Sequence, residues 1–233
     1  MQQYFAKNKN LELEQSDYHH IKNVMRMKKG DLIKVIYDEV IYTCKLTNID
    51  NIKFDIVKED KKEDNDVYIT ISFSLIKEQK LNYLLQKATE IGANEFIPIN
   101  TIRSVVKIDN KKWPSKKERW NKICKEASEQ SFRVNIPKIN DIKNIKELTN
   151  LDYDLKILCS LNKNTKNIKK VLQKHDKCDK ILLVFGPEGG FDPKEEEYLI
   201  NNGFISVSLG DNVLRAETAV STALSMIKYE FMR

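Results

Sequence analysis

From about residue 67 onward, short apolar runs alternate with segments of helical periodicity. The runs VYITISFSLI, EFIPI, LKILCSL, KILLVF and ISVSL are each followed by a loop and a segment with helix-like spacing of apolar residues. This alternation predicts a mainly parallel sheet covered by helices, because parallel strands need a long crossover connection that is usually helical. The predicted fold class is therefore α/β, with ligands expected at the loops beyond the carboxyl ends of the strands.

The first part of the chain has a different pattern. Three β-rich runs are separated by turns of Asp, Glu and Asn, which predicts an antiparallel meander. The charged stretch 58–66 that follows is typical of a linker. We therefore predict a small β domain at 1–66 and an α/β domain at 67–233. The three runs of the meander are 32–37, 40–47 and 52–58.

Local signals also predict where helices begin and end. Ser16 or Asp17 is the expected N-cap of a short first helix, and Gly92 is the expected end of a later one. Ser115 and Glu118 have the spacing of a capping box that opens a third helix. The predicted buried faces of the two later helices are Leu81, Leu84, Leu85, Ala88 and Ile91, and Trp120, Ile123, Cys124 and Ala127.

The positive charge of the chain is concentrated in one segment. Residues 101–140 hold 11 Lys and Arg against 4 Asp and Glu, while the whole chain has a net charge of +6. A basic stripe on an otherwise balanced protein is typical of a polyanion partner such as nucleic acid. A solvated lysine-rich surface is the alternative. Lysine far outnumbers arginine in this chain, so each arginine in a motif-like stretch is informative, because its planar guanidinium can make contacts that lysine cannot. The arginines in such stretches are Arg26, Arg103, Arg133 and Arg215.

Several classes of protein are disfavoured by what the sequence lacks. No apolar stretch approaches the roughly 18 residues that a membrane span needs, and the first residues lack the apolar core of a secretion signal. We therefore expect a cytoplasmic protein without a membrane partner. The four cysteines are scattered without a CxxC pair, and the three histidines have no ligand spacing beside them. Reduced thiols and no bound metal are expected.

A glycine-rich turn in LVFGPEGGFDPKEEE connects a predicted strand to a predicted helix. Asp192 is its expected N-cap, with Pro193 at the first helical position. Phosphate is the usual ligand of such a turn, but neither the Walker pattern nor GxGxxG is present, and Glu188 would repel phosphate. A nucleotide-phosphate enzyme is therefore disfavoured. The turn is better suited to a neutral or partly cationic ligand.

A second glycine turn follows the last predicted strand, in SVSLGDNVLRAETAVSTALSMI. Two such turns at one edge of a sheet are suited to holding a flat aromatic ring between backbone groups, and adenine is the obvious candidate. Taken singly, each turn has a simpler explanation, which is a tight bend that needs a positive φ.

Five ordered motifs resemble the RsmE-type 16S ribosomal RNA (uridine-N3) methyltransferases of the SPOUT superfamily. These motifs are YHHIKNVMRMKKGD, KATEIGANEFIPINTIRS, EASEQSFRVNIP, GPEGGF and LGDNVLRAETA. The resemblance implies an N-terminal PUA-like RNA-binding β-barrel and a C-terminal SPOUT domain with a trefoil knot. It also implies S-adenosyl-L-methionine as the cofactor, 16S rRNA of the small ribosomal subunit as the substrate, and a homodimer.

The same resemblance assigns candidate site residues. The cofactor loops would be 186–190 and 209–214, with the turn near Leu161 as a third. Arg215 is our hypothesis for the group that stabilises the uridine anion, with an ion pair to a neighbouring carboxylate such as Glu217 as the alternative role. Glu188 either contacts the ligand or caps the following helix. The predicted cofactor-binding residues are Leu161, Gly186, Pro187, Glu188, Gly189, Gly190, Leu209, Gly210, Asn212, Val213 and Leu214.

The proton acceptor and the RNA contacts are assigned more broadly. Glu217 and Glu129 are candidate bases, beside solvent hydroxide or an RNA phosphate. Arg103 and Arg133 are expected to bind RNA phosphates or the flipped base, with structural ion pairs as the alternative, and Arg26 is expected on the RNA surface of the first domain. Other functions stay open at this point: a SPOUT enzyme that modifies another rRNA or tRNA site, or an RNA-binding assembly factor without catalysis.

Overall fold

The computed structural model describes residues 1–61, 66–162, 164–175 and 177–231. The chain divides into two compact units. The first comprises Met1–Asp64 and Lys125–Ile136, and the second comprises Asn65–Cys124 and Pro137–Arg233. The predicted domain limits, 1–66 and 67–233, stay a prediction.

The first unit contains a four-stranded sheet in the order β1-β2-β3-β4. The predicted meander of β2, β3 and β4 is confirmed, since both of its strand pairs are antiparallel. Asp38 and Glu39 connect β2 to β3 with φ values of 48° and 62°, which is the pattern of a two-residue type I′ turn. No local pattern indicated β1, which pairs in parallel with β2. The strands are β1 (Gln2–Phe5), β2 (Leu32–Tyr37), β3 (Val40–Asn48) and β4 (Lys53–Lys61).

The end of β4 corrects the predicted linker at 58–66. β4 continues to Lys61, because β3 pairs with it through Val40, opposite Lys61, despite the charged side chains there. Residues 62–65 of the predicted linker lie outside the described residues. Backbone pairing with β3 therefore extends β4 beyond the point at which the charged run predicted its end.

The first helix, α1 (Gln15–His19), begins at a different residue from the one predicted. Its N-cap is Glu14, not Ser16 or Asp17. The carboxylate of Asp17 accepts a hydrogen bond from the backbone N–H of Glu14 at 3.0 Å. Asp17 is therefore the N3 residue of a capping box, and Glu14 is its N-cap. A π-helical turn, His20–Val24, continues α1. Both pack on the sheet around a core of Tyr4, Leu11, Leu13, Ile21, Ile33, Val35, Cys44, Leu46 and Ile52.

The second unit is an α/β layer around an eight-stranded sheet whose strand pairs are all parallel. The order is β10-β12-β9-β11-β5-β6-β7, with β8 also paired to β6. The predicted α/β class with a small β unit before it is confirmed, while the trefoil knot stays a prediction. The strands are β5 (Tyr68–Ser74), β6 (Glu95–Asn100), β7 (Lys138–Ile139), β8 (Lys143–Asn144), β9 (Leu155–Cys159), β10 (Lys166–Asn167), β11 (Lys180–Phe185) and β12 (Ile205–Ser208).

The helices that cover this sheet bury the faces expected from their apolar spacing. Leu84 and Leu85 of α2 are buried, and α2 ends at Gly92, whose φ of 118° favours glycine. Leu224 of α7 is fully buried, and α7 packs against α2. None of the described helices is both long and apolar enough to cross a membrane. The remaining helices are α2 (Glu78–Ile91), α3 (Trp113–Gln130), α4 (Ile145–Thr149), α5 (Ile168–Leu172), α6 (Pro193–Asn201) and α7 (Ala216–Glu230).

The start of α3 corrects the predicted capping box at Ser115 and Glu118. The helix begins at Trp113, because the carbonyl of Asp109 already accepts hydrogen bonds from the N–H groups of Lys112 and Trp113. Ser115 is therefore inside the first turn and does not cap it. Trp120, Cys124 and Ala127 are buried and Ile123 is half-buried, as the spacing predicted.

Candidate functional site

A cavity of about 580 Å³ lies at the carboxyl ends of three neighbouring parallel strands, β12, β9 and β11. Its walls come from the loops that follow these strands, at 160–162, 186–190 and 209–215, and from the starts of α6 and α7. Parallel strands bring such loops together because all of their carboxyl ends point to one edge of the sheet. The volume lies within the roughly 300–1,000 Å³ of typical small-ligand sites.

The loop after β11 is tight because its backbone approaches the side chain that follows it. A Cβ on Gly186 would lie 3.1 Å from the ring of Phe191 and 3.2 Å from the carbonyl carbon of Gly190. Gly190 has a φ of 68°, and its N–H donates to the carbonyl of Pro187 at 2.9 Å. A residue with a side chain at Gly186 would therefore displace the loop.

The helix after this loop is capped by Asp192, as predicted. The side chain of Asp192 accepts from the N–H of Lys194 at 3.0 Å, and Glu195 accepts from the N–H of Asp192 at 3.3 Å. Glu188 is not the cap. Its carboxylate instead lies 3.0 Å from Nζ of Lys80 in α2, and this hydrogen bond lowers the pKa of Glu188 below its ordinary value. The capping role considered for Glu188 was therefore wrong.

The loop after β12 is held by a serine at its base. Oγ of Ser208 donates to the carbonyl of Gly210 at 2.9 Å and accepts from the N–H of the same glycine at 3.2 Å. Gly210 has a φ of 135°, which strains any residue with a side chain. Val213 is exposed beyond this turn, and Arg215 is the N-cap residue of α7. An apolar side chain and a guanidinium thus stand together at the rim of the cavity.

The two arginines of the cavity differ in their contacts. Nη1 of Arg103 donates to the carbonyl of Gly189 at 3.1 Å, so Arg103 supports the glycine loop. Arg215 is exposed, and within the described part of the chain it forms no ion pair. The alternative role of Arg215, an ion pair with a neighbouring carboxylate such as Glu217, is therefore contradicted by the described residues.

The structure brings together all of the predicted cofactor residues. Every one of them lines the cavity, as do Arg103 and Arg215. Glu217 does not line it, and its Oε2 is buried without a hydrogen-bond partner among the described residues. Sequence reasoning did not name other lining side chains, although Phe191 belongs to the quoted motif GPEGGF and Asp211, Ala216 and Ala219 belong to LGDNVLRAETA. The missed residues are Cys159, Ser160, Asn162, Phe185, Phe191, Pro193, Glu196, Ser208, Asp211, Ala216 and Ala219.

The two other predicted RNA-binding arginines belong to the first unit. Arg26 is exposed with a φ of 50°, and Nη2 of the half-buried Arg133 donates to Oδ1 of Asn135 at 2.7 Å. The backbone carbonyl of Arg133 also accepts a hydrogen bond from the side chain of Gln3. The loop after α3 is thus attached to β1.

A cluster of three acids lies around Lys125 at the end of α3 in this unit, with Asp17 buried, Glu129 half-buried and Glu14 exposed. Lys125 contacts Asp17 at 2.7 Å, Glu129 at 3.2 Å and Glu14 at 3.3 Å. Burial raises the pKa of Glu129 from its ordinary 4.5 to about 7, against the lowering effect of Lys125. Oε1 of Glu129 also accepts a hydrogen bond from the N–H of Phe5 at 3.2 Å. The contacts of this candidate base therefore connect α3 to β1 within the first unit.

Among the described residues, no group of three or more His, Cys, Asp or Glu side chains is placed to hold a metal ion. All four cysteines are free thiols.

Comparison with known proteins agrees with this architecture. Residues 63–228 match the family model described as an RNA methyltransferase domain, and residues 13–59 match that of an RNA methyltransferase PUA domain. The chain is similar to ribosomal RNA small subunit methyltransferase E of Bacillus subtilis, with 36% identity over 99% of this chain and 97% of the relative. The chain belongs to the RsmE-type ribosomal RNA methyltransferase family. The resemblance in the five motifs is thereby confirmed.

Two further relatives of this RsmE-type chain cover most of its length. Ribosomal RNA small subunit methyltransferase E 2 of Borreliella burgdorferi is 34% identical over 91% of this chain and 87% of the relative. A solved structure from Legionella pneumophila, a putative methyltransferase in complex with the cofactor SAM, is 25% identical and superposes with a TM-score of 0.89. That comparison covers 97% of this chain and 96% of the solved one.

Proposed function

We propose that this protein uses S-adenosyl-L-methionine to methylate N3 of a uridine in 16S rRNA of the small ribosomal subunit. The observation that carries the proposal is the cavity at the carboxyl ends of β9, β11 and β12, with its two glycine loops and two arginines. The family membership supports rRNA methylation as the activity. The SAM-bound relative supports the identity of the cofactor.

The residues of the cavity fit an adenosyl cofactor. At Gly189 and Gly210 a Cβ would meet no atom within 4 Å, so bare peptide groups face open space where a ring can approach. Apolar side chains from the same loops, including Leu209 and Leu214, would pack on the faces of an adenine. A phosphate-binding lysine motif is absent from the glycine turn. Glu188 is paired with Lys80 at 3.0 Å, and a carboxylate would not repel the positive sulfonium of this cofactor.

The chain's own contribution to the reaction is mainly alignment. When bound, adenosylmethionine supplies a methyl group on a positively charged sulfur. The loops 186–190 and 209–214 line the cavity and would hold this methyl group in line with the uridine N3 anion, so that the new N–C bond would form as the S–C bond breaks and its electron pair stays on sulfur. Such an in-line displacement needs little covalent help, so loops that hold both reactants at the reacting distance supply most of the acceleration.

We assign Arg215 to the stabilisation of the uridine anion. Deprotonated N3 shares its charge with the two flanking carbonyl oxygens, and a guanidinium donor placed there stabilises the charge as it develops. Arg215 suits this role because it lines the cavity and has no ion-pair partner within the described part of the chain. Arg215→Lys is expected to lower kcat with normal RNA affinity, and full turnover would contradict the assignment.

Glu217 remains our candidate for the group that accepts the N3 proton. It belongs to the first turn of α7, two residues after Arg215, and its Oε2 is buried without a hydrogen-bond partner in the described part. A pH–rate profile of the wild type and of Glu217→Gln tests this role. If both profiles have the same acidic limb, the proton goes to solvent hydroxide or to an RNA phosphate.

RNA recognition is assigned to basic groups in both units. Arg103 is exposed at the cavity, and Arg26 and Arg133 belong to the PUA-matching unit and its α3 extension. We propose that these side chains contact phosphates, whose neutralisation releases counterions and drives binding.

We also propose a homodimer that acts on ribosomal particles in the cytoplasm.

The decisive experiment joins cofactor binding to base mapping. The protein would be incubated with radiolabelled adenosylmethionine and 30S particles from a strain that lacks the enzyme, and the labelled nucleotide would be mapped by digestion and mass spectrometry. Label on N3 of one uridine supports the proposal. Label at another rRNA or tRNA position would identify a different SPOUT activity, and a calorimetric titration without cofactor binding would indicate an assembly factor.

A further inference from the structure

Glu196 is a carboxylate at the cavity wall without a cationic partner. It lies in the first turns of α6 and lines the cavity with four other charged side chains. Among the described residues, no lysine, arginine or histidine forms an ion pair with Glu196, whereas Glu188 is paired with Lys80. Within the described residues, no cationic side chain is therefore paired with the carboxylate of Glu196. The other four charged residues of the wall are Arg103, Glu188, Asp211 and Arg215.

Two hydroxyl groups hold this carboxylate in place. Oγ of Ser160 donates to Oε1 of Glu196 at 2.5 Å, and Oγ of Ser206 donates to the same oxygen at 3.4 Å. Ser160 follows β9 and its Oγ also accepts from the N–H of Asn162 at 3.0 Å, so the carboxylate is tied to the 160–162 loop of the cavity. Hydroxyl donors orient a carboxylate but leave its formal charge uncompensated.

Under the proposed function, the ligand of the cavity carries a positive charge that the carboxylate of Glu196 can attract. The methyl donor carries a positive sulfonium, and methyl transfer leaves a neutral thioether, so the substrate and product forms of the cofactor differ by one positive charge. A fixed carboxylate in a partly enclosed cavity attracts the cationic form more strongly than the neutral one, because the lower effective dielectric strengthens the interaction. Asp211 is exposed to solvent, so water screens its charge more fully.

We propose that Glu196 is a specificity-determining residue that favours the cationic methyl donor over its neutral product. This inference rests on the proposed function, because it takes adenosylmethionine as the ligand of the cavity. Its consequence is that the product S-adenosylhomocysteine dissociates more readily than the donor. The serines that orient Glu196 act through it and are positioning residues.

The test measures affinity for three ligands by calorimetry, without RNA and without turnover. These are adenosylmethionine, its neutral product, and sinefungin, in which an ammonium-bearing carbon replaces the sulfonium. Glu196→Gln is expected to weaken the two cationic ligands on the order of tenfold and the neutral one by less than about twofold. Glu197→Gln is the matched control, because Glu197 is the exposed neighbour on the same helix and its substitution removes the same charge.

The possible outcomes separate this inference from the proposed function. If the wild type binds none of the three ligands, the proposed function is contradicted. If the wild type binds them but Glu196→Gln weakens all three ligands equally, Glu196 is structural and the inference is overturned. The same holds if Asp211→Asn shifts the preference and Glu196→Gln does not. Circular dichroism checks folding, and a second neutral variant, Glu196→Met, replaces the glutamine variant if that one does not fold.

Discussion

The half-buried Glu129 predicts a measurable pH dependence in the stability of the first unit. Burial raises its pKa from 4.5 to about 7, while Lys125 and the N–H of Phe5 oppose this and Asp17 adds to it. The side chain is only 15% exposed, so solvent screens these effects little. Because the folded form binds the proton more tightly than the unfolded form, the unit loses stability as the pH rises from the unfolded pKa to the folded one.

The size of the effect follows from the two pKa values. The penalty for ionising Glu129 is complete above the folded pKa and amounts to about 3 kcal/mol there, because each pH interval of 1 between the two pKa values contributes roughly 1.4 kcal/mol. Between about pH 5.5 and about pH 8 the penalty grows by about 2 kcal/mol. Glu129→Gln cannot ionise, so it should gain about 2 kcal/mol relative to the wild type over this interval.

Amide hydrogen exchange of peptides from β2 and β3 measures this difference in the first unit alone. Comparing each variant with the wild type at the same pH cancels the intrinsic pH dependence of exchange. The protection of Glu129→Gln relative to the wild type should rise roughly 30-fold between the two pH values. The control is Glu118→Gln, an exposed acid on the same helix. A relative change below about threefold, or an equal change in the control, would refute the reasoning.

Three other perturbations test the second unit. Gly186→Ala places a methyl 3.1 Å from the ring of Phe191, so calorimetry should find adenosylmethionine affinity lower by on the order of tenfold, and urea unfolding should show a loss of about 1–3 kcal/mol. Leu224→Ala removes a fully buried side chain and should lower the free energy of unfolding by about 2–5 kcal/mol in urea titrations. Arg103→Ala should reduce the slope of log affinity for rRNA against log salt by about 1, whereas Arg119→Ala, whose partner is Glu78, should leave it unchanged. Equal slopes for both arginine variants would assign Arg103 a structural role.

The elements that the sequence predicted well depend on residues close together in the chain. Gly92 ends α2 because its own backbone adopts a positive φ, and Asp192 caps α6 through the N–H groups of its near neighbours. The meander follows from alternation within each run and from the short turn at Asp38 and Glu39. The two glycine loops were predicted for the same reason, since each lies directly between a strand and a helix.

The errors occurred where a distant part of the chain supplies the partner. β4 continues to Lys61 because β3 pairs with it, although the local charge pattern indicated a linker. β1 was missed because its pairing with β2 joins residues about thirty positions apart in a parallel register. The error at α3 is instead local: the helix begins before Ser115 because the nearby carbonyl of Asp109 accepts the first hydrogen bonds, which the capping-box spacing does not reveal.

The sequence by itself determined the β meander of the first part of the chain, the alternation of strands and helices that follows it, the glycine turns, and the family to which the chain belongs. Only the tertiary structure decided which charges of the site are cancelled. Lys80 neutralises Glu188 across 108 residues, and Ser160 orients Glu196 across 36. Such contacts depend on the order in which the strands lie side by side, and that order results from packing the whole core, so it is not encoded in any short stretch of residues.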